Sequence, residues 1–187
     1  MPILTYEPDL YPHDLFERLA FGHQQGMAWW VLYCLPRREK QLMRRLRALD
    51  VAFHAPLIAR RTRSPSGRVR TSYVPLFAGY VFLFGDANHR YAAQTTGCVS
   101  RWLVPPDMAA LTADLAQIRR LIDTGAPLTP EARLQPGMRV RIRSGSFAGF
   151  EGAVLRRPGE TRLVVAVDFL QQGASVLLDD CQLERVA

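Results

Sequence analysis

The sequence predicts an α+β fold in two parts, an antiparallel sheet flanked by helices and a small five-stranded β-barrel, joined by a linker. Three observations carry this. Strand-like and helix-like segments follow in the order β-α-β-β-α-β-α up to residue 123, as in a sheet with helices packed against it. Residues 124–133 hold two prolines and a glycine without an apolar period, and read as a connector. Residues 134–155 then alternate (Val140, Ile142), turn through Gly145, Gly149 and Gly152, and resume extended structure at Ala153–Leu155. Glycines so closely spaced suit the sharp corners of a strongly bent barrel.

Taken in order, residues 1–27 show no clear period and read as a loose N-terminal arm. Leu10, Leu15, Phe16, Leu19 and Phe21 give it something to dock with, as a short helix after Pro12-His13-Asp14. Ala28–Leu35, with two tryptophans, a valine and a tyrosine, is a buried strand. Pro36 suits a first helical turn, and Leu42, Met43, Leu46 and Leu49 fall on one face of the helix that follows, with six basic residues around it. Residues 53–58 and 74–84 are further strand signals. Between them, residues 60–70 have Ser-Pro-Ser-Gly at their centre, which makes a hairpin whose exposed tip carries five arginines and no acid. Asp86 caps a short helix through Thr95, and residues 99–104 form another strand. Met108, Leu111, Leu115, Ile118 and Ile122 make the stripe of a last helix. The barrel strands are expected at 138–143, 151–156, 161–169 and 174–179, with a terminal one near Leu183.

The 187 residues carry a net charge of +7, unevenly distributed. Residues 28–73 hold eleven basic groups against two acids, whereas residues 1–27 hold four acids against one arginine. A basic surface focused in this way is what a polyanion needs, since each neutralised phosphate releases counterions. The bland alternative is a solvated face that serves solubility. The longest apolar run, residues 74–84, is too short to cross a bilayer, and the N-terminus lacks the pattern of a secretory signal. Cys34, Cys98 and Cys181 are odd in number and widely spaced, which argues against a disulfide framework or zinc site and for a reducing, cytoplasmic setting. No nucleotide-binding loop or nucleophile signature is present, and Asp179-Asp180 lacks the partners of a metal site. Neither catalysis nor a cofactor is expected.

The glycine-rich stretch at 134–155 resembles the KOW motif of ribosomal proteins and of the NusG family of transcription factors. Residues 29–40, Trp-Trp-Val-Leu-Tyr-Cys-Leu-Pro-Arg-Arg-Glu-Lys, are similar to the opening strand and helix of that family's N-terminal (NGN) domain. Residues 75–83 look like its Phe-Pro-Gly-Tyr strand, with Ala78 where the family's proline usually stands. The resemblance covers residues 28–187: an NGN domain at 28–123, the linker, and an SH3-like KOW barrel at 134–187. Leu32-Tyr-Cys34, residues 54–58 and residues 75–80 lean toward the specialised RfaH-like branch.

The resemblance implies a bacterial, cytoplasmic, monomeric elongation and antitermination factor that binds RNA polymerase without doing chemistry. Its apolar patch for the clamp helices of the largest polymerase subunit maps to Tyr33, Phe77, Tyr80 and Phe82, and its contact with the second-largest subunit to His89. Arg37, Arg38, Arg44 and Arg45 would face the exposed non-template DNA strand. Arg60, Arg61 and Arg63, with Arg68 and Arg70, would face either duplex DNA or the polymerase. Phe169 and Leu170 occupy the place where the barrel recruits a small-subunit ribosomal protein or the termination factor Rho. A ribosome-associated RNA-binding protein with a KOW barrel is the rival reading; it accounts for the barrel and the charge but not for the aromatic strand at 75–83.

Overall fold

A computed structural model describes residues 7–20, 26–65, 67–132, 139–157, 160–178 and 183–185. Ser66, Arg133, the expected barrel start at 134–138, Asp179-Asp180, Cys181 and Phe21 lie outside the described residues. The chain divides into two compact units, Met1–Met108 and Ala109–Ala187.

The first unit contains β1 (Leu10–Tyr11), α1 (Leu15–Ala20), β2 (Ala28–Cys34), α2 (Glu39–Ala48), β3 (Ala52–His54), β4 (Leu57–Arg63), β5 (Val69–Pro75), β6 (Tyr80–Gly85), α3 (Ala87–Thr95) and β7 (Val99–Leu103). Five strands form an antiparallel sheet in the order β1-β3-β6-β2-β7, and β4 and β5 pair separately as a two-stranded ribbon. The central strands β2 and β6 align Trp29 with Phe84, Val31 with Phe82 and Tyr33 with Tyr80, which puts these six side chains on one face. The other face presents Leu32, Cys34, Val81 and Leu83, which join Leu42, Met43 and Leu46 of α2 and Ala93 of α3 in the core. The apolar stripe of α2 is the reason: its three buried residues recur at helical spacing.

Three expectations are corrected here. Residues 7–20 are not a loose arm: β1 extends the sheet on β3, and α1 buries Leu15 and Leu19 and lays Phe16 within 6.4 Å of the Trp29 ring. The strand signals at 53–58 and 74–84 each divide. The first breaks at Ala55-Pro56, and the second turns at Leu76–Gly79, where Gly79 takes φ +84°. Helix α2 begins at Glu39 rather than near Pro36, because Arg37 is left-handed at φ 62° and Arg38 is the N-cap.

The second unit contains nearly all of α4 (Met108–Asp123), then β8 (Thr129–Ala132), β9 (Arg139–Ile142), β10 (Glu151–Arg157), β11 (Glu160–Val167), a 3-10 turn at Asp168–Leu170, β12 (Gln172–Leu177) and β13 (Leu183–Arg185). All five expected barrel strands are present, in an antiparallel sheet of order β13-β9-β10-β11-β12-β8. Two boundaries move. The expected linker contributes β8, which pairs with β12 at the sheet edge, where Pro130 lacks an N–H that an edge strand need not supply. Helix α4, expected to close the first domain, groups with the second: Gln117 Oε1 accepts the Glu151 N–H at 2.7 Å, and the Asp114 carboxylate accepts the Asp168 N–H at 3.1 Å. No helix among the described residues is long and apolar enough to cross a membrane.

Candidate functional site

The end of the aromatic face formed by Tyr33 and Tyr80 is half-exposed. The two rings meet edge to face with centroids 5.2 Å apart, and the Arg101 guanidinium lies 4.9 Å over the Tyr33 ring. The turn before β6 sets this geometry. A Cβ on Gly79 would stand 3.2 Å from Tyr33 Cε2, a tight contact, and the residue's φ of +84° itself favours glycine. The same turn is pinned on both sides: Glu39 Oε1 accepts the Gly79 N–H at 2.8 Å, and the Cys34 N–H donates to the Gly79 carbonyl at 2.7 Å.

Phe77 and Phe82, expected at the surface, are 1% and 0% exposed and pack edge to face at 5.7 Å. Phe82 is interior because β6 lies between β3 and β2 with both faces covered. Tyr33 and Tyr80 are therefore the half-exposed rings of this face, with the two phenylalanines packed into the interior.

The basic residues fall into two groups. On α2, Arg45 and Arg47 are exposed, Arg38 bonds the side chain of Gln41, and Arg37 sits on the turn before the helix. Arg44 is already engaged: its Nε and Nη2 donate to the two carboxylate oxygens of Glu7 at 2.9 and 2.6 Å. The hydrogen bond from Arg44 holds the Glu7 carboxyl below the usual glutamate range, with Lys40 and Arg47 adding to the effect against the opposing cost of burial. On the ribbon, all five arginines are exposed, and the pairing register sorts them. Arg60 and Arg70 share one face and Arg61 and Arg63 the other, while Arg68 precedes β5 at the tip. Both faces are solvated, which is why two strands can be so rich in arginine.

His89 closes a capping box. The Asp86 carboxylate accepts the His89 N–H at 2.8 Å, and His89 Nδ1 accepts the Asp86 N–H at 3.2 Å. The imidazole packs so tightly on Gly85 that a Cβ there would overlap it. Its first role is to start α3. Phe169 and Leu170, expected near a strand edge, lie half-buried in the 3-10 turn at Asp168–Leu170. Asp114 caps this turn from α4, and Arg139 pairs with Asp168. Burial pushes the Cys34 thiol up to about 12, the reverse of what a nucleophile needs. Glu7 and Arg101 were not singled out from sequence: the only hint of Glu7 was an acidic segment preceding a basic one, and Arg101 gave none.

Residues 27–118 match the family model described as "Transcription termination factor nusG". Over that span the chain is similar to the NusG family. The transcription termination/antitermination protein NusG of Pseudomonas aeruginosa is 28% identical over 174 residues, covering 84% of this chain and 98% of the relative. The aromatic pair, α2, the ribbon and His89 all fall inside the NusG-family span, whereas Glu7, Asp9, Phe169 and Leu170 lie outside it.

Proposed function

We propose that the chain is a non-catalytic elongation and antitermination factor of the RfaH-like branch, acting in the bacterial cytoplasm as a monomer. Its similarity to the NusG family supports the general role in transcription. The finer reading assigns Tyr33 and Tyr80, backed by Phe77 and Phe82, to the clamp helices of the largest polymerase subunit, with His89 near the second-largest. Arg37, Arg38, Arg45 and the ribbon arginines face DNA, the helix group meeting the exposed non-template strand. The KOW-like second domain recruits a ribosomal protein or Rho through the Phe169–Leu170 turn.

One observation carries this reading: the half-exposed Tyr33–Tyr80 pair lies on one face of the sheet, while α2 packs on the other. A rigid sheet with an aromatic anchor on one side and arginines on the opposite side is suited to bridging two parts of an assembly. Bridging would hold the polymerase clamp closed by differential binding to the closed state.

The test is binding to a reconstituted elongation complex. Tyr33→Ala with Tyr80→Ala should abolish binding while the domain stays folded, and unchanged affinity refutes the aromatic assignment. Charge reversal at Arg37, Arg38 and Arg45 should flatten the salt dependence of binding to a complex with an open bubble. An unchanged slope makes the helix a solvated face only.

A further inference from the structure

The first described residues are fastened to the first domain at several points. Leu10 and Tyr11 pair with His54 and Phe53. Asp9 accepts the Leu57 N–H on its carboxylate at 3.0 Å and the Ala55 N–H on its carbonyl at 2.7 Å. The Tyr11 hydroxyl bonds the Asp50 carboxylate. This anchoring carries Glu7 to the basic side of α2, where Arg44 grips its two oxygens in parallel. Paired N–H donors on two oxygens are also how arginine holds a phosphate. Lys40 lies one turn before Arg44 and Arg47 three residues after it, both close enough to act on the Glu7 charge. The carboxylate thus fills, from within the chain, an oxyanion position on a helix rich in arginine.

We propose that Lys40, Arg44 and Arg47 form a phosphodiester site for single-stranded DNA, which Glu7 occupies as a built-in competitor. The proposal rests on the reading of α2 as a DNA contact and adds a gate to it. A tethered carboxylate has a high effective concentration, so a single weak anion does not displace it. A strand held by neighbouring arginines therefore binds past the filled position and leaves Arg44 with Glu7. Arg44 therefore adds little to DNA affinity while Glu7 is in place, and contributes once Glu7 is neutral. Glu7 lies outside the residues that match the family model.

The experiment is a salt titration of binding to a single-stranded oligothymidine, using the full chain and the variants Glu7→Gln, Arg44→Gln and the pair together. Glu7→Gln should bind tighter, with a slope steeper by about 0.7 in log affinity against log salt, one more phosphate contact. That slope corresponds to roughly a threefold larger loss of affinity over a fourfold rise in salt. Arg44→Gln should lower affinity less in the parent than in Glu7→Gln, and should cancel the gain of Glu7→Gln. Retained pairing of Leu10 and Tyr11, followed by amide exchange, confirms that Glu7→Gln has not simply released the segment. The gate is refuted if Glu7→Gln matches the parent in affinity and slope, or if Arg44→Gln weakens both backgrounds equally. Stronger binding to oligouridine than to oligothymidine overturns the DNA assignment. A parent whose DNA binding falls on reversal of Arg37, Arg38 and Arg45, but which is indifferent to Glu7, keeps the interface reading and loses only the gate. If neither parent nor Glu7→Gln binds, both fall.

Discussion

Replacing Gly79 with alanine tests how the aromatic site is held. The residue sits at φ +84°, where an L side chain costs about 1–2 kcal/mol relative to glycine. Its new Cβ would also stand 3.2 Å from Tyr33 Cε2, tighter than an ordinary contact, so the ring or the turn must give by a few tenths of an ångström. Gly97 is the natural control. Its φ is +69° and a Cβ there meets nothing within 4 Å, so Gly97→Ala carries the backbone cost alone. Both variants should lower the melting temperature of the first domain by roughly 5–10 °C, from the size of the penalty and of the domain. Only Gly79→Ala should also change the near-ultraviolet circular dichroism of the tyrosines and weaken polymerase binding. The measurements are thermal unfolding, circular dichroism and binding to the elongation complex, on parent and both variants. If Gly79→Ala and Gly97→Ala are indistinguishable in all three, the claim that this glycine seats Tyr33 is wrong.

The remaining predictions concern buried and charged groups. Asp9→Ala leaves the buried Leu57 N–H without its carboxylate and should cost about 1–3 kcal/mol, read by denaturant unfolding; Asp9→Asn, which keeps an acceptor oxygen, should cost less. The folded-state pKa of Glu7 is depressed, so its contribution to stability is present at neutral pH and disappears as pH falls through that depressed value. The stability gap between parent and Glu7→Gln should accordingly close in acid, and a gap that persists there refutes the ion-pair explanation. With its thiol pushed up to about 12, Cys34 should resist a thiol-specific reagent at neutral pH in the native protein and react only after unfolding.

Long, strongly patterned elements were legible in the sequence. The core stripe of α2, the Asp86 cap of α3 and the five barrel strands each announce themselves by period, capping chemistry or turn residues. What escaped was short or decided by neighbours. A two-residue strand is too brief for a period to emerge, so β1 is not legible in the arm, where only the short helix after Pro12-His13-Asp14 can be read. Thr129–Ala132 reads as linker because Pro130 sits within it and Pro127 just before it, and only pairing with β12 makes it a strand. The run from Val74 to Phe84 looks continuous because apolar content does not reveal a left-handed glycine in its middle. In the site, residue types pointed to aromatic and basic contacts, yet burial sorted Tyr33 and Tyr80 from Phe77 and Phe82. Whether an arginine is already partnered depends on a carboxylate 37 positions away, as with Arg44 and Glu7.

The brief first strand has a practical corollary. It seals the border of β3, whose amides and carbonyls would otherwise be open to any passing chain. Trimming the protein to begin where the family similarity starts would unseal that border and strip the α1 side chains from Trp29 and His54. The shortened product should clump on concentration, while the full-length chain stays dispersed.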